Sequence, residues 1–98
     1  MGDSSWYVYM VRCQNGSLYT GITNNLEARI KKHNRGKGSK AVRMLGLPVV
    51  LVYSEIAKDK STALKREIEI KKLSKQEKEK IVEKYSCISY QNMVWYLK

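Results

Sequence analysis

The 98-residue sequence predicts a single domain of the α/β class in its α+β form, a small three-stranded, antiparallel-type sheet flanked by helices. Three observations predict it. Two β-rich runs flank a turn signature near the N-terminus, a short apolar run follows Pro48, and the second half carries helical periodicity with capping residues. A chain of this length buries roughly two thirds of its unfolded surface, enough for one core and no second domain. The domain is expected to span residues 1–85, with 86–98 an apolar tail whose pattern fits neither a period of two nor one of 3.6.

Trp6 to Arg12 is aromatic and β-branched, Leu18 to Ile22 is similar, and Gln14-Asn15-Gly16 stands between them, so the pair spells a β-hairpin. Its register decides which side chains share a face. A two-residue Asn15-Gly16 turn would pair Arg12 with Tyr19 and send Tyr9 to the other side of the sheet. A three-residue loop with Gly16 in the left-handed region pairs Cys13 with Ser17 and Val11 with Tyr19, and brings Tyr9 and Tyr19 to one face. The second register, with positive φ at Gly16, is the expectation.

Asn24 precedes Glu27 by three, as an N-cap with a returning carboxylate would, and Leu26 and Ile30 repeat at helical spacing, predicting a helix to about Asn34. Gly36 and Gly38 end it and open a basic loop, with a short helical turn over Ser39 to Leu45. After Pro48, Val49 to Tyr53 is too short for a helix and rich in β-branched residues, which predicts a buried third strand. From Ser61 onward Ala63, Leu64, Ile68, Ile70 and Leu73 form a broad apolar face suited to covering the sheet, and Ser74 with Glu77 is a second capping box, starting a helix that reaches about Tyr85.

With 43% hydrophobic and 29% charged residues the chain has the composition of a globular domain, and its longest uncharged apolar run, Leu45 to Tyr53, is far short of the roughly 18 residues of a membrane span. Met1 to Ser5 is polar, carries Asp3 and has neither the basic region nor the small-residue cleavage site of a secretory signal, so a cytoplasmic location is expected. Cys13 and Cys87 are too few for a disulfide framework, and with His33 as the sole histidine a zinc centre is a poor fit. Gly16 and Gly21 have the spacing of a phosphate loop, but Ile22 stands where its lysine belongs.

The net charge of +10 is unevenly placed. Residues 24–46 hold seven Lys or Arg against one Glu: Arg29, Lys31, Lys32, Arg35, Lys37, Lys40 and Arg43 straddle the Gly-rich stretch. Such a segment suits phosphates, and nucleic acid is the expected partner, with Lys32, Arg35, Lys37, Lys40 and Arg43 as its contacts. Arg29 and His33 lie one turn apart on one helix face. Glu67 falls inside the apolar arc of the later helix, between Ala63 and Leu64, and two roles are open to it: an ordinary ion pair with Lys71, or a ligand-binding carboxylate.

Over about residues 6 to 80 these features resemble the GIY-YIG nuclease domain, in the form of a small stand-alone bacterial member. Tyr7-Val8-Tyr9 is similar to the first motif with Tyr7 in place of its glycine, and Tyr19-Thr20-Gly21 to the second with Thr20 in place of its isoleucine. Arg29 looks like the family's helix arginine, His33 like its His or Tyr one turn later, and Glu67 like its metal-binding glutamate. The family's later asparagine has no counterpart; Glu79 stands near that place.

The resemblance implies a GIY-YIG-like fold and hydrolysis of a nucleic-acid phosphodiester, DNA ahead of RNA, with one divalent cation, Mg²⁺ or another such as Mn²⁺, on Glu67. Arg29 would neutralise the developing charge, Tyr19 would activate water, and Tyr9 and His33 would orient water or relay the proton. A free tyrosine, with a pKa of about 10, serves as a base near neutrality only if the metal or Arg29 depresses it. The other reading of Tyr9 is a core aromatic with a satisfied hydroxyl. The alternative for the whole chain is a DNA- or RNA-binding module on the same scaffold with little or no turnover.

Overall fold

A computed structural model describes residues 5–93, with side chains to residue 85. Strands β1 (Trp6–Arg12), β2 (Leu18–Thr23) and β3 (Val50–Ala57) form one antiparallel sheet in the order β2-β1-β3. Helices α1 (Leu26–Asn34) and α2 (Lys40–Leu45) lie between the hairpin and β3, and α3 (Lys60–Lys71) and α4 (Lys75–Met93) follow it. The α+β architecture matches the sequence prediction. The C-terminal stretch left unassigned there continues α4 as far as Met93, and residues 94–98 fall outside the described part.

The hairpin has the bulged register. Val11 opposes Tyr19 and Arg12 opposes Leu18. The Cys13 amide donates to Ser17 O (2.8 Å), the Gly16 amide donates to Cys13 O (2.9 Å), and Gly16 has φ 90°. That conformation strains any side chain, so the glycine fixes the loop length and, through it, the face on which each tyrosine lies.

Because strand residues alternate, β1 feeds two separate cores. Val8 and Met10 pack with Ala57, Ala63, Ile70 and Val82 under α3 and α4. Tyr9, Val11 and Cys13 pack with Val42 and Val49, bordered by Tyr19, Leu26, Ile30, Leu45 and Leu47, under α1 and α2. The Asn34 side chain ties the second layer to the sheet by accepting from Val49 N (2.7 Å) and donating to Val49 O (3.4 Å).

The structure corrects several local expectations. The N-cap of α1 is Asn25, whose side chain accepts from Ala28 N; Asn24 lies one residue too early, and Glu27 instead approaches Lys31 at 3.6 Å. The third strand is longer than Val49 to Tyr53 and is not buried. Among the described residues it pairs with β1 alone, and as an edge strand it leaves Val50 61% exposed. Helix α3 begins at Lys60, capped by Asp59, and its buried stripe is narrower than the sequence suggested: Ala63 and Ile70 are fully covered, whereas Leu64 and Ile68 are exposed. The Ser74/Glu77 box forms in both directions, Glu77 N to Ser74 Oγ at 3.1 Å and Ser74 N to Glu77 Oε1 at 2.9 Å. Glu79, near the place of the missing asparagine, grips Arg12 with two hydrogen bonds of 2.7 Å and so fastens α4 to the end of β1. Both partners are about one third exposed, and such a pair contributes about 0 to 1 kcal/mol.

Candidate active site

The hairpin register places Tyr9 and Tyr19 on the face covered by α1. Tyr9 directly opposes Gly21, and its phenol lies over that glycine: a Cβ there would come within 2.6 Å of the Tyr9 hydroxyl. The third residue of the second tyrosine motif is thus glycine because an aromatic ring occupies the space of its side chain. On α1, His33 is 1% exposed, and its Nε2 shares a hydrogen bond of 2.8 Å with the Tyr9 hydroxyl. The imidazole is tilted against Tyr9 (centroids 6.0 Å apart) and meets Tyr19 edge-on at 5.7 Å. Three of the five expected catalytic side chains therefore form one aromatic cluster.

Within it the two tyrosines differ. Tyr9 is 2% exposed, whereas Tyr19 is half-buried and borders the surface. Burial above all raises the Tyr9 pKa beyond the ordinary tyrosine value; Tyr19 and Glu67 add to the rise and Arg29 opposes it. Tyr9 stays protonated at neutral pH. The satisfied hydroxyl and the burial match the core-aromatic alternative, and a direct meeting with bulk water is closed to it.

His33 is held neutral, its pKa lowered by burial first and by the Arg29 charge second. Nδ1 has no hydrogen-bond partner among the described residues, and Gly38 closes over it: a Cβ at that position would stand 2.3 Å from Nδ1. A neutral imidazole and a phenol carry two polar hydrogens, and the bond between them uses one. Whichever tautomer is present, the second hydrogen lacks an acceptor in this bond. A buried donor left so costs about 1 to 3 kcal/mol, which an ordered water or a ligand group accepting from it recovers.

Arg29, half-buried and one turn before His33, acts on the charge of both Tyr9 and His33. Glu67 arrives from the opposite layer. It lies on the stripe of α3 between Ala63 and Ile70, its side chain is only 16% exposed, and its charge is felt at the Tyr9 hydroxyl. The pairing with Lys71 considered from the sequence is present, with Nζ to Oε2 at 3.3 Å. Among the described residues no three His, Cys, Asp or Glu side chains converge on one point. A single carboxylate nevertheless fits a hard divalent ion that keeps most of its shell as water and phosphate oxygen.

The five basic residues expected to bind nucleic acid fall into three places. Lys37, Lys40 and Arg43 line one cleft of about 410 Å³ with Gly36, Gly38 and Ser39. Lys32 joins Arg29 in a smaller cleft, about 200 Å³, with Thr23, Asn24, Asn25 and Ala28. Arg35 borders a third, about 540 Å³, whose floor is Ile30 and Leu51. This is the largest of the three, yet neither tyrosine nor Glu67 lines it. Gly38 links the first cleft to the aromatic cluster by its contact with His33. The tight packing of Gly21 and Gly38 carries little sequence signal, because a glycine needed for close approach reads like one needed for a turn.

The chain was compared with known proteins. A family profile described as the GIY-YIG catalytic domain matches residues 5–80. A UPF0213 protein of Staphylococcus haemolyticus is 54% identical over 77 residues, covering 79% of this chain and 93% of the relative. One from Yersinia pestis is 50% identical over 82 residues, covering 84% and 85%. Among solved structures, the solution structure of a UPF0213 protein from Bacillus halodurans matches with TM-score 0.52 and 42% identity over 81% of this chain and 83% of that one. That of an E. faecalis protein matches with TM-score 0.57 and 36% identity over 85% and 88%.

Proposed function

Because the chain belongs to the GIY-YIG catalytic-domain family, alongside small bacterial UPF0213 proteins, we propose that it is an endonuclease that hydrolyses nucleic-acid phosphodiesters, DNA ahead of RNA, in the cytoplasm. One observation carries the reading: the Tyr9, Tyr19 and His33 cluster holds a buried, incompletely bonded polar pair within the fields of Arg29 and Glu67.

The residues divide the work as follows. Glu67 holds the divalent cation, with Mg²⁺ the ion its single carboxylate best suits. That cation, when bound, supplies Lewis-acid neutralisation at the scissile phosphate. Arg29 offsets charge as the phosphorus becomes pentavalent, from a cleft open to substrate. Tyr19, the less buried hydroxyl, would take the proton from the attacking water once its own proton has left to solvent, a loss that the cation or Arg29 would favour. Tyr9 and His33 position Tyr19, and the spare hydrogen of their pair is available to the proton relay. Lys32, Lys37, Lys40 and Arg43 hold the flanking phosphates.

A second reading, a nucleic-acid-binding module with little turnover, is favoured by one contact, the Lys71 ammonium on Glu67. The deciding experiment incubates branched, single-stranded and duplex DNA with the protein in magnesium or in chelator, beside Glu67→Ala. Cleavage that requires both magnesium and Glu67 supports the nuclease. Salt-sensitive binding without cleavage of any of the three would establish the binding module instead.

A further inference from the structure

The face of β1 that carries Tyr9 continues beyond the cluster. Tyr7 lies two residues earlier, hence on the same side and about 7 Å along the strand. It directly opposes Thr23 on β2 and Ile56 on β3. The Tyr9 row is roofed by α1, but Tyr7 is half-buried, Ile56 is 66% exposed, and neither joins either core cluster. An exposed isoleucine alone is unremarkable. Here it stands beside an aromatic ring that joins neither core, one row from the proposed reacting groups.

The surroundings select the occupant. Thr23, level with Tyr7, also lines the cleft of Arg29 and Lys32, so the apolar spot runs into a cationic one. Lys58, exposed two positions beyond Ile56, adds charge on the other side. A ligand that matches must carry a flat apolar face joined to phosphate. A nucleotide does so only when its base is unstacked, because a duplex hides base faces within the helix.

We infer that Tyr7 and Ile56 form a stacking surface for one unpaired base next to the scissile phosphate, so that the substrate is single-stranded or locally unpaired nucleic acid. The inference rests on the proposed nucleic-acid activity and names its substrate class.

The test measures binding in chelator, where nothing is cut, of a labelled 12-nucleotide oligothymidine and of a blunt duplex with the same number of phosphates. Tyr7→Ala should weaken the single strand about 5- to 100-fold, as loss of one base–aromatic stack does, and change duplex affinity less than about twofold. Tyr7→Phe, which keeps the ring, should bind as wild type. Tyr7→Leu, which keeps apolar bulk and serves if the alanine variant does not fold, should lose most of the same affinity. Equal losses on both ligands, or none on the single strand, would overturn the stacking surface and leave the nuclease reading standing. A wild-type protein that binds neither ligand would overturn both.

Discussion

The two faces of one strand have been built for different ends. On one side Val8 and Met10 sink into a mainly aliphatic core with Ala63, Ile70 and Val82, where the buried Thr20 opposite Met10 is a small polar neighbour. On the other, Tyr9 is buried against a histidine with one nitrogen unpartnered among the described residues, and two glycines have given up their side chains to make room. The first arrangement gains stability from area removed from water. The second forgoes some by burying polar atoms incompletely bonded. That contrast marks the Tyr9 face as the candidate site with more force than any single residue does.

The contrast can be broken or sharpened by mutation. Ile70→Ala, on the aliphatic side, should destabilise by about 2 to 5 kcal/mol in denaturant unfolding, the cost of a cavity in a fully covered core. Any activity loss should follow only the fraction unfolded. Gly38→Ala, on the other side, places a Cβ against the buried imidazole and should cost about 1 to 3 kcal/mol. Its activity should fall well beyond the unfolded fraction, because the displaced ring is the one that meets both tyrosines. Tyr9→Phe removes the partner of His33 Nε2, with an expected cost of about 1 to 2 kcal/mol and a loss of activity in folded protein.

The smallest effect is the pH dependence. His33 stays neutral in the fold because its pKa is lowered, while in the unfolded chain it takes a proton near pH 6.5. The unfolded state therefore binds more protons, and stability should fall as pH drops below about 6.5, levelling below the lowered folded value. His33→Gln should flatten that slope in melting curves across the range, whereas the aliphatic core contributes none.

The same contrast explains what the sequence could disclose. The strands, the Ser74/Glu77 box and the shared face of Tyr9 and Tyr19 follow from local rules: alternation, capping chemistry and the left-handed turn at Gly16. Arg29 and His33 were legible as neighbours because they are one turn apart. The exposure of β3 was not, since strand order is settled by long-range pairing and an apolar run reads alike at a centre or an edge. Nor were the 2.8 Å Tyr9–His33 bond, the closure of Gly38 over Nδ1 and the Arg12–Glu79 clasp, each made across 24, 5 or 67 positions by packing that no periodicity encodes.

The central claim is that the chemistry resides in charges brought to the Tyr9 face and is separable from the fold. Glu67→Gln tests it most directly, keeping shape and removing the charge. Magnesium-dependent cleavage should fall by at least about 100-fold while the melting temperature moves by no more than about 2 °C, because the pair with half-exposed Lys71 contributes little to stability. Cleavage at the wild-type rate in this variant, or a loss that merely tracks unfolding, would contradict the account.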